Sequence, residues 1–144
     1  MRHFVYPATR TPERGGGFTV QFHDLPEAIT SGKDRSDALL QASDCLEEAI
    51  AGRIADELEI PEPSALRRKQ ASVPLPAPMA AKAALYLAIR DAGVSNIELA
   101  RRLKLDEKEM RRVLDPRLAT GLSRIQKVLE ALGQRLIVGV ETAA

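Results

Sequence analysis

The sequence predicts an α+β protein, in which an N-terminal antiparallel sheet with one helix precedes an all-α C-terminal domain that ends in a short strand. Three observations indicate this fold class. Alternating apolar and polar residues, typical of half-buried strands, occur near the start of the chain. Apolar residues at helical spacing dominate the second half. Five of the nine prolines lie within residues 61–79 and indicate a linker, so we place the domains at residues 1–76 and 77–144.

The first three elements are predicted to be short strands. Residues 4–6 are β-prone and are stopped by Pro7, and residues 18–22 alternate strictly between apolar and polar side chains. Residues 28–30 form the third run. The stretch 11–17 ends in three glycines and is predicted to be a turn, because glycine adopts positive φ at little cost. The three strands therefore form an antiparallel meander.

A helix is predicted to follow the strands. Asp34 is a suitable N-cap, and Asp37 lies at the positive end of the helix dipole. Pro61 prevents the helix from continuing. Three short strands and one helix make a thin core for about 60 residues, so we expect residues 71–75 to add an edge strand, where proline is tolerated. The apolar stripe that faces the sheet comprises Leu39, Ala42, Leu46, Ala49 and Ile50.

Four helices and one strand are predicted for the C-terminal part. Ser95 precedes Glu98 by three residues, and Asp106 precedes Glu109 by the same spacing, as in a capping box. The helices cover residues 81–92, 96–103, about 107–114 and 122–132. The last segment is β-branched and needs a partner strand, from the N-terminal sheet or across a dimer interface. We predict the latter, through Leu136, Ile137, Val138 and Val140.

The second and third of these helices have the spacing of a helix-turn-helix, whose second helix enters the major groove of DNA. Lys and Arg on that helix can bind guanine or neutralise phosphate. An open alternative is a small helical bundle with a solvated basic face, since Lys104 occupies the turn position where glycine is usual. The predicted DNA-binding residues are Asn96, Glu107, Lys108, Arg111, Arg112, Arg117 and Thr120.

The charge distribution supports two different partners. The net charge is +1, but residues 1–60 carry −5 and residues 80–144 carry +4, and the basic half suggests nucleic acid. A single cysteine excludes an internal disulfide, and the absence of tryptophan disfavours base stacking on single strands. We expect a cytoplasmic protein without a membrane partner, because the chain has neither a signal peptide nor an apolar run of about 20 residues.

Catalysis, metal binding and a cofactor are not expected. The acidic residues of the N-terminal half invite a metal-dependent nuclease, but turns, helix caps and a solvated helix face explain each of them. His3 and His23 lack a recognisable nucleophile and orienting group. Cys45 lies in the apolar stripe and is interpreted as a buried apolar residue.

Several short motifs resemble the HicB antitoxins. They are Tyr6-Pro7-Ala8, residues 17–22, Asp24-Leu25-Pro26, residues 28–30 with Gly32, Ile60-Pro61-Glu62-Pro63-Ser64 and Val73-Pro74-Leu75. The second half resembles the Xre/Cro-like helix-turn-helix that many HicB proteins carry.

The resemblance implies a partial ribonuclease-H-like N-terminal domain without catalysis, which blocks a HicA-type mRNA interferase toxin. It also implies a C-terminal domain that binds operator DNA as a homodimer or higher oligomer and represses the operon. Two alternatives stay open: a ligand-sensing one-component transcriptional regulator, and an active nuclease.

Overall fold

The computed structural model describes residues 1–143, which divide into two compact units, the first being residues 1–83 and the second beginning at Ala84. The predicted functional boundary between residues 76 and 77 remains a prediction. Among the described residues, the strands are Val5–Pro12 (β1), Phe18–Phe22 (β2), Ile29–Gly32 (β3) and Gln70–Pro74 (β4). The helices are Arg35–Ala55 (α1), Ala77–Ala92 (α2), Asn96–Leu103 (α3), Glu107–Leu114 (α4) and Leu122–Ala131 (α5).

The N-terminal unit contains a four-stranded antiparallel sheet in the order β3-β2-β1-β4. The predicted meander and the added edge strand are both confirmed. The prediction that Pro7 ends the first strand is wrong. Pro7 pairs with Ser72 of β4, whereas pairing with β2 begins only at Ala8. The strand has a neighbour on one side at Pro7, so a missing N–H is tolerated there.

Helix α1 packs on this sheet and completes the core of the unit. Asp34 is its N-cap, as predicted, and accepts a hydrogen bond from the Asp37 N–H at 2.9 Å. The Asp37 carboxylate in turn accepts from the Lys33 N–H at 2.8 Å, which lowers the pKa of Asp37. Cys45 is half-buried rather than buried, and its partial burial raises the pKa of the thiol. The largest fully buried side chains of this unit are Tyr6, Val20, Phe22, Leu25, Leu46 and Ile50.

The segment between α1 and β4 has the composition of a linker, but hydrogen bonds fix it to the N-terminal unit. The Tyr6 hydroxyl donates to the Pro61 carbonyl at 2.8 Å, and the Ser64 N–H donates to the Asp24 carboxylate at 2.9 Å. Tyr6 is fully buried, and this burial, with a smaller contribution from Asp24, raises the pKa of its hydroxyl to about 12. Proline-rich composition therefore does not make residues 61–64 a free spacer.

The C-terminal unit is helical, with α3 packed against α4 and α5. The predicted terminal strand is wrong for the single chain, because residues 134–143 contain neither helix nor strand. A β-prone segment needs a second strand for its backbone hydrogen bonds, and none of the described strands pairs with it. The helices α3, α4 and α5 contribute Leu99, Met110, Val113, Ile125, Val128 and Leu129 to the core.

None of the described helices combines the length and the apolarity that crossing a membrane requires.

Candidate nucleic-acid interface

Side-chain caps define where α3 and α4 begin. The Ser95 hydroxyl accepts from the Glu98 N–H at 3.1 Å, and the Asp106 carboxylate accepts from the Glu109 N–H at 2.8 Å. The Glu109 carboxylate also accepts from the Asp106 N–H at 2.9 Å, so the predicted capping box of α4 is complete. Only half of the predicted box at α3 forms, because the Glu98 side chain binds arginines of its own helix instead.

A three-residue connection joins the two helices. Lys104 adopts the left-handed conformation, with φ 56° and ψ 40°, and its N–H donates to the Arg101 carbonyl at 3.2 Å. The Leu105 N–H donates to the Ala100 carbonyl at 2.9 Å. These bonds satisfy carbonyls at the end of α3. Such an arrangement usually has glycine at the position that Lys104 occupies here. The tight turn thus forms although lysine occupies the position.

Packing of α4 fixes which of its side chains face outward. Met110 and Val113 are buried against the rest of the unit. Residues on the other side of α4 then face solvent, and these residues are spaced one and four positions from each other along the chain. This exposed side brings together four of the predicted DNA-binding residues: Glu107, Lys108, Arg111 and Arg112.

Ion pairs within α3 and within α4 involve some of their charged side chains but not Lys108. Arg111 donates to the Glu107 carboxylate at 2.8 Å, one turn apart. Lys108, between them, makes no hydrogen bond or ion pair with the described residues. On α3, Glu98 pairs with both Arg101 and Arg102. The ammonium group of Lys108 is therefore available to an external anion without breaking a protein contact.

The other predicted DNA-binding residues lie on different elements. Asn96 is the first residue of α3 and is exposed. Arg117 is exposed in the connection between α4 and α5, where its N–H donates to the Asp115 carboxylate at 2.9 Å. Thr120, in the same connection, is half-buried.

Two exposed residues close to these helices were not among the predicted DNA-binding residues. Ile97, in the first turn of α3, is 85% exposed, although it resembles a core residue by type. Its position relative to the buried Leu99 would have placed it on the outer side of the helix. Lys104 is exposed as well, and its left-handed conformation orients the backbone that leads into α4.

The acidic side chains that could suggest a metal site make contacts that stabilise the fold. Asp34 and Asp37 cap α1, and Asp24 binds Ser64. Within residues 1–143, no cluster of three or more His, Cys, Asp or Glu side chains has the arrangement to hold a metal ion.

The predicted self-association residues lie in the extended C-terminal segment. Ile137, Val138 and Val140 are exposed there, and Leu136 is half-buried. Exposed apolar side chains that lie next to one another are typical of surfaces that bind another protein.

Comparison with known proteins supports the assignment of a family. A family model described as the HicB-like antitoxin of a bacterial toxin–antitoxin system matches residues 5–84. Antitoxin HicB 1 of Photorhabdus laumondii is 34% identical over 141 residues, which cover 98% of this chain and 90% of the relative. Antitoxin HicB of Escherichia coli K12 is 34% identical over 131 residues, covering 91% and 95%. Antitoxin HicB of Pseudomonas fluorescens is 31% identical over 137 residues, covering 94% of both chains.

The family model covers more than half of the chain, and the relatives align along nearly all of it. The alignments include both compact units, so the relationship is not confined to the sheet. The chain belongs to the HicB antitoxin family.

Proposed function

We propose that the protein binds and blocks a HicA-type toxin through its N-terminal unit, and represses its own operon by binding operator DNA through α3 and α4. It would act in the cytoplasm without a cofactor. The single observation that supports the DNA-binding part is the outward side of α4, where Lys108 makes no hydrogen bond or ion pair with the residues that the structure describes. The caps at Ser95 and Asp106 hold both helices in place before DNA arrives.

In this proposal α3 and α4 are the two helices of a helix-turn-helix, and α4 lies in the major groove. Lys108, Arg111 and Arg112 reach base edges or phosphates, while Asn96 and Arg117 contact the backbone. Replacing Lys108 with alanine should weaken binding to the operator about tenfold, because one cation leaves the interface. The matched control is Lys33→Ala, which removes the same charge from an exposed position in the N-terminal unit.

The measurement is fluorescence anisotropy on a duplex from the region upstream of the protein's own reading frame. Equal weakening by Lys108→Ala and Lys33→Ala would contradict the assignment of α4. Inhibition of the toxin should be unchanged in Lys108→Ala. Parallel loss of both activities would contradict the division of labour between the two units.

Toxin binding is supported by family membership and by the acidic charge of residues 1–60. A net negative charge in this part of the chain favours association with a basic, RNA-binding toxin. Co-purification of the tagged protein with the product of the adjacent reading frame, followed by mass determination, tests this part. A stable complex with a small basic partner is expected. A homo-oligomer without a partner would contradict it and favour a ligand-sensing transcriptional regulator.

Self-association is the remaining part of the proposal. Leu136, Ile137, Val138 and Val140 would pair with the same segment of a second copy, since two strands satisfy each other's backbone groups. Sedimentation of the full chain should give a dimer or higher oligomer. Deletion of residues 135–144 should lower that mass, and an unchanged mass would reject this role for the segment.

A further inference from the structure

We infer that Glu107 is a specificity-determining residue. Its carboxylate weakens binding to DNA in general and permits binding to sites that present a cytosine amino group to α4. The inference rests on the proposed function, since it requires α4 to lie in the major groove. It deepens that function by assigning opposite roles to two neighbours on one helix, with Lys108 attracting any duplex and Glu107 selecting among them.

The bond between Glu107 and Arg111 has no evident role in the fold. Their side chains are 88% and 73% exposed, and the bond of 2.8 Å that joins them is the only interaction either makes with the described residues. An exposed pair one helical turn apart contributes little to the stability of a protein. The positive end of the α4 dipole also favours a carboxylate, but Asp106 and Glu109 already supply negative charge there, so the stability of the helix depends little on Glu107.

The other acidic residues of α3 and α4 differ from Glu107 in this respect. Glu109 completes the capping box, and Asp106 is the N-cap of α4. Glu98 is only 33% exposed and binds two arginines of α3. Among the described acidic side chains of these two helices, Glu107 is the one that extends outward with a single, solvent-exposed partner.

A carboxylate on the groove side of a recognition helix has a defined effect on DNA binding. It is repelled by phosphates on every duplex and loses water on entering the groove. A hydrogen-bond donor on a base edge offsets this cost, and cytosine N4 is the donor that Glu characteristically accepts from. Arg111, held by Glu107 one turn further on, is then oriented to donate to guanine O6 and N7.

The matched substitutions Glu107→Gln and Glu98→Gln test this inference in the full-length protein. Both remove one negative charge at nearly constant shape, but Glu98 faces the arginines of α3. The probes are the upstream duplex and a shuffled duplex of the same length and composition. We expect Glu107→Gln to strengthen binding to the shuffled duplex and to reduce the ratio of the two affinities about tenfold. Glu98→Gln should shift both affinities by the same factor.

A second series identifies the base. Each C·G pair of the upstream duplex is replaced in turn by T·A, and binding of both proteins is compared. The wild-type protein should lose about tenfold in affinity at one pair where Glu107→Gln loses none. An affinity ratio in Glu107→Gln that is within twofold of the wild-type ratio would overturn the inference and leave the proposed function intact. A wild-type protein that does not distinguish the two duplexes would overturn both.

Discussion

Alanine at Gly32 should unfold or strongly destabilise the N-terminal unit. Gly32 ends β3, directly under the first turn of α1. A Cβ at this position would lie 2.3 Å from the backbone N of Ala38, 2.4 Å from its Cα and 2.9 Å from the carbonyl carbon of Asp37. All three atoms belong to the helix backbone, so no side chain can rotate away. The first turn of α1 would have to move by about 1 Å to restore normal contact.

The expected loss of stability follows from the contacts that the first turn of α1 makes. Its displacement strains the cap formed by Asp34, which contributes about 1 kcal/mol. It also strains the hydrogen bond from the Lys33 N–H to the Asp37 carboxylate. With the overpacking itself, we expect a loss of about 2–4 kcal/mol in the free energy of unfolding. For a unit of this size, that corresponds to a fall of about 10–25 °C in Tm.

Gly52 provides the control within the same helix. It lies inside α1, and a Cβ there would meet nothing within 4 Å. Gly52→Ala should therefore stabilise the unit by about 0.5–1 kcal/mol, since alanine favours the helix. Urea unfolding followed by circular dichroism, with hydrogen exchange of residues 35–55, measures both variants. The reasoning would be refuted if the stability of Gly32→Ala were within 0.5 kcal/mol of wild type. It would also be refuted if Gly52→Ala lost as much stability as Gly32→Ala.

Three further substitutions test individual contacts. Tyr6→Phe leaves the Pro61 carbonyl without its donor and should cost about 1–2 kcal/mol in urea unfolding, and an unchanged midpoint would mean that the segment is not anchored there. Lys104→Gly should be about 0.5–1 kcal/mol more stable than Lys104→Ala, because only glycine adopts the left-handed conformation freely, and the reverse order would argue against this turn. Glu27 accepts two hydrogen bonds from Arg53, which hold its pKa below the ordinary value of 4.5. The pair therefore stabilises the fold above that pH, and this stabilisation is lost as pH falls through the folded-state pKa. Because the Glu27 side chain is 45% exposed and solvent screens the pair, Glu27→Gln should cost about 0.5 kcal/mol at pH 7 and less below about pH 4, and a pH-independent difference would reject this account.

Local signals predicted the element order well, because each depends on a few adjacent residues. The cap at Asp34 and the capping box of Asp106 with Glu109 are contained within four residues, and the structure has them where the spacing indicates. The end of β1 could not be predicted in this way. Whether Pro7 stops a strand depends on which neighbours that strand has at that point, and the register is decided by residues more than ten positions away.

The segment before β4 shows the same limit. Its prolines predicted a linker, because composition indicates which backbone conformations a segment favours. Composition does not indicate which distant residues form hydrogen bonds with the segment. Tyr6 and Asp24 hold it through bonds that span 55 and 40 residues in sequence. A buried tyrosine near the start of the chain signals that its hydroxyl needs an acceptor, but not which carbonyl supplies it.

The charge on α4 connects DNA binding with self-association. The helix carries three cations, but Glu107 and Glu109 reduce its net charge to +1. One copy of α4 thus offers little of the sequence-independent attraction that supplies most of the affinity for DNA. In the proposed dimer, a second copy linked through the C-terminal segment would double the phosphate contacts and make the second binding event intramolecular. The proposed DNA binding therefore calls for a dimer, in which the selectivity inferred for Glu107 would be retained while two-fold binding would restore the affinity.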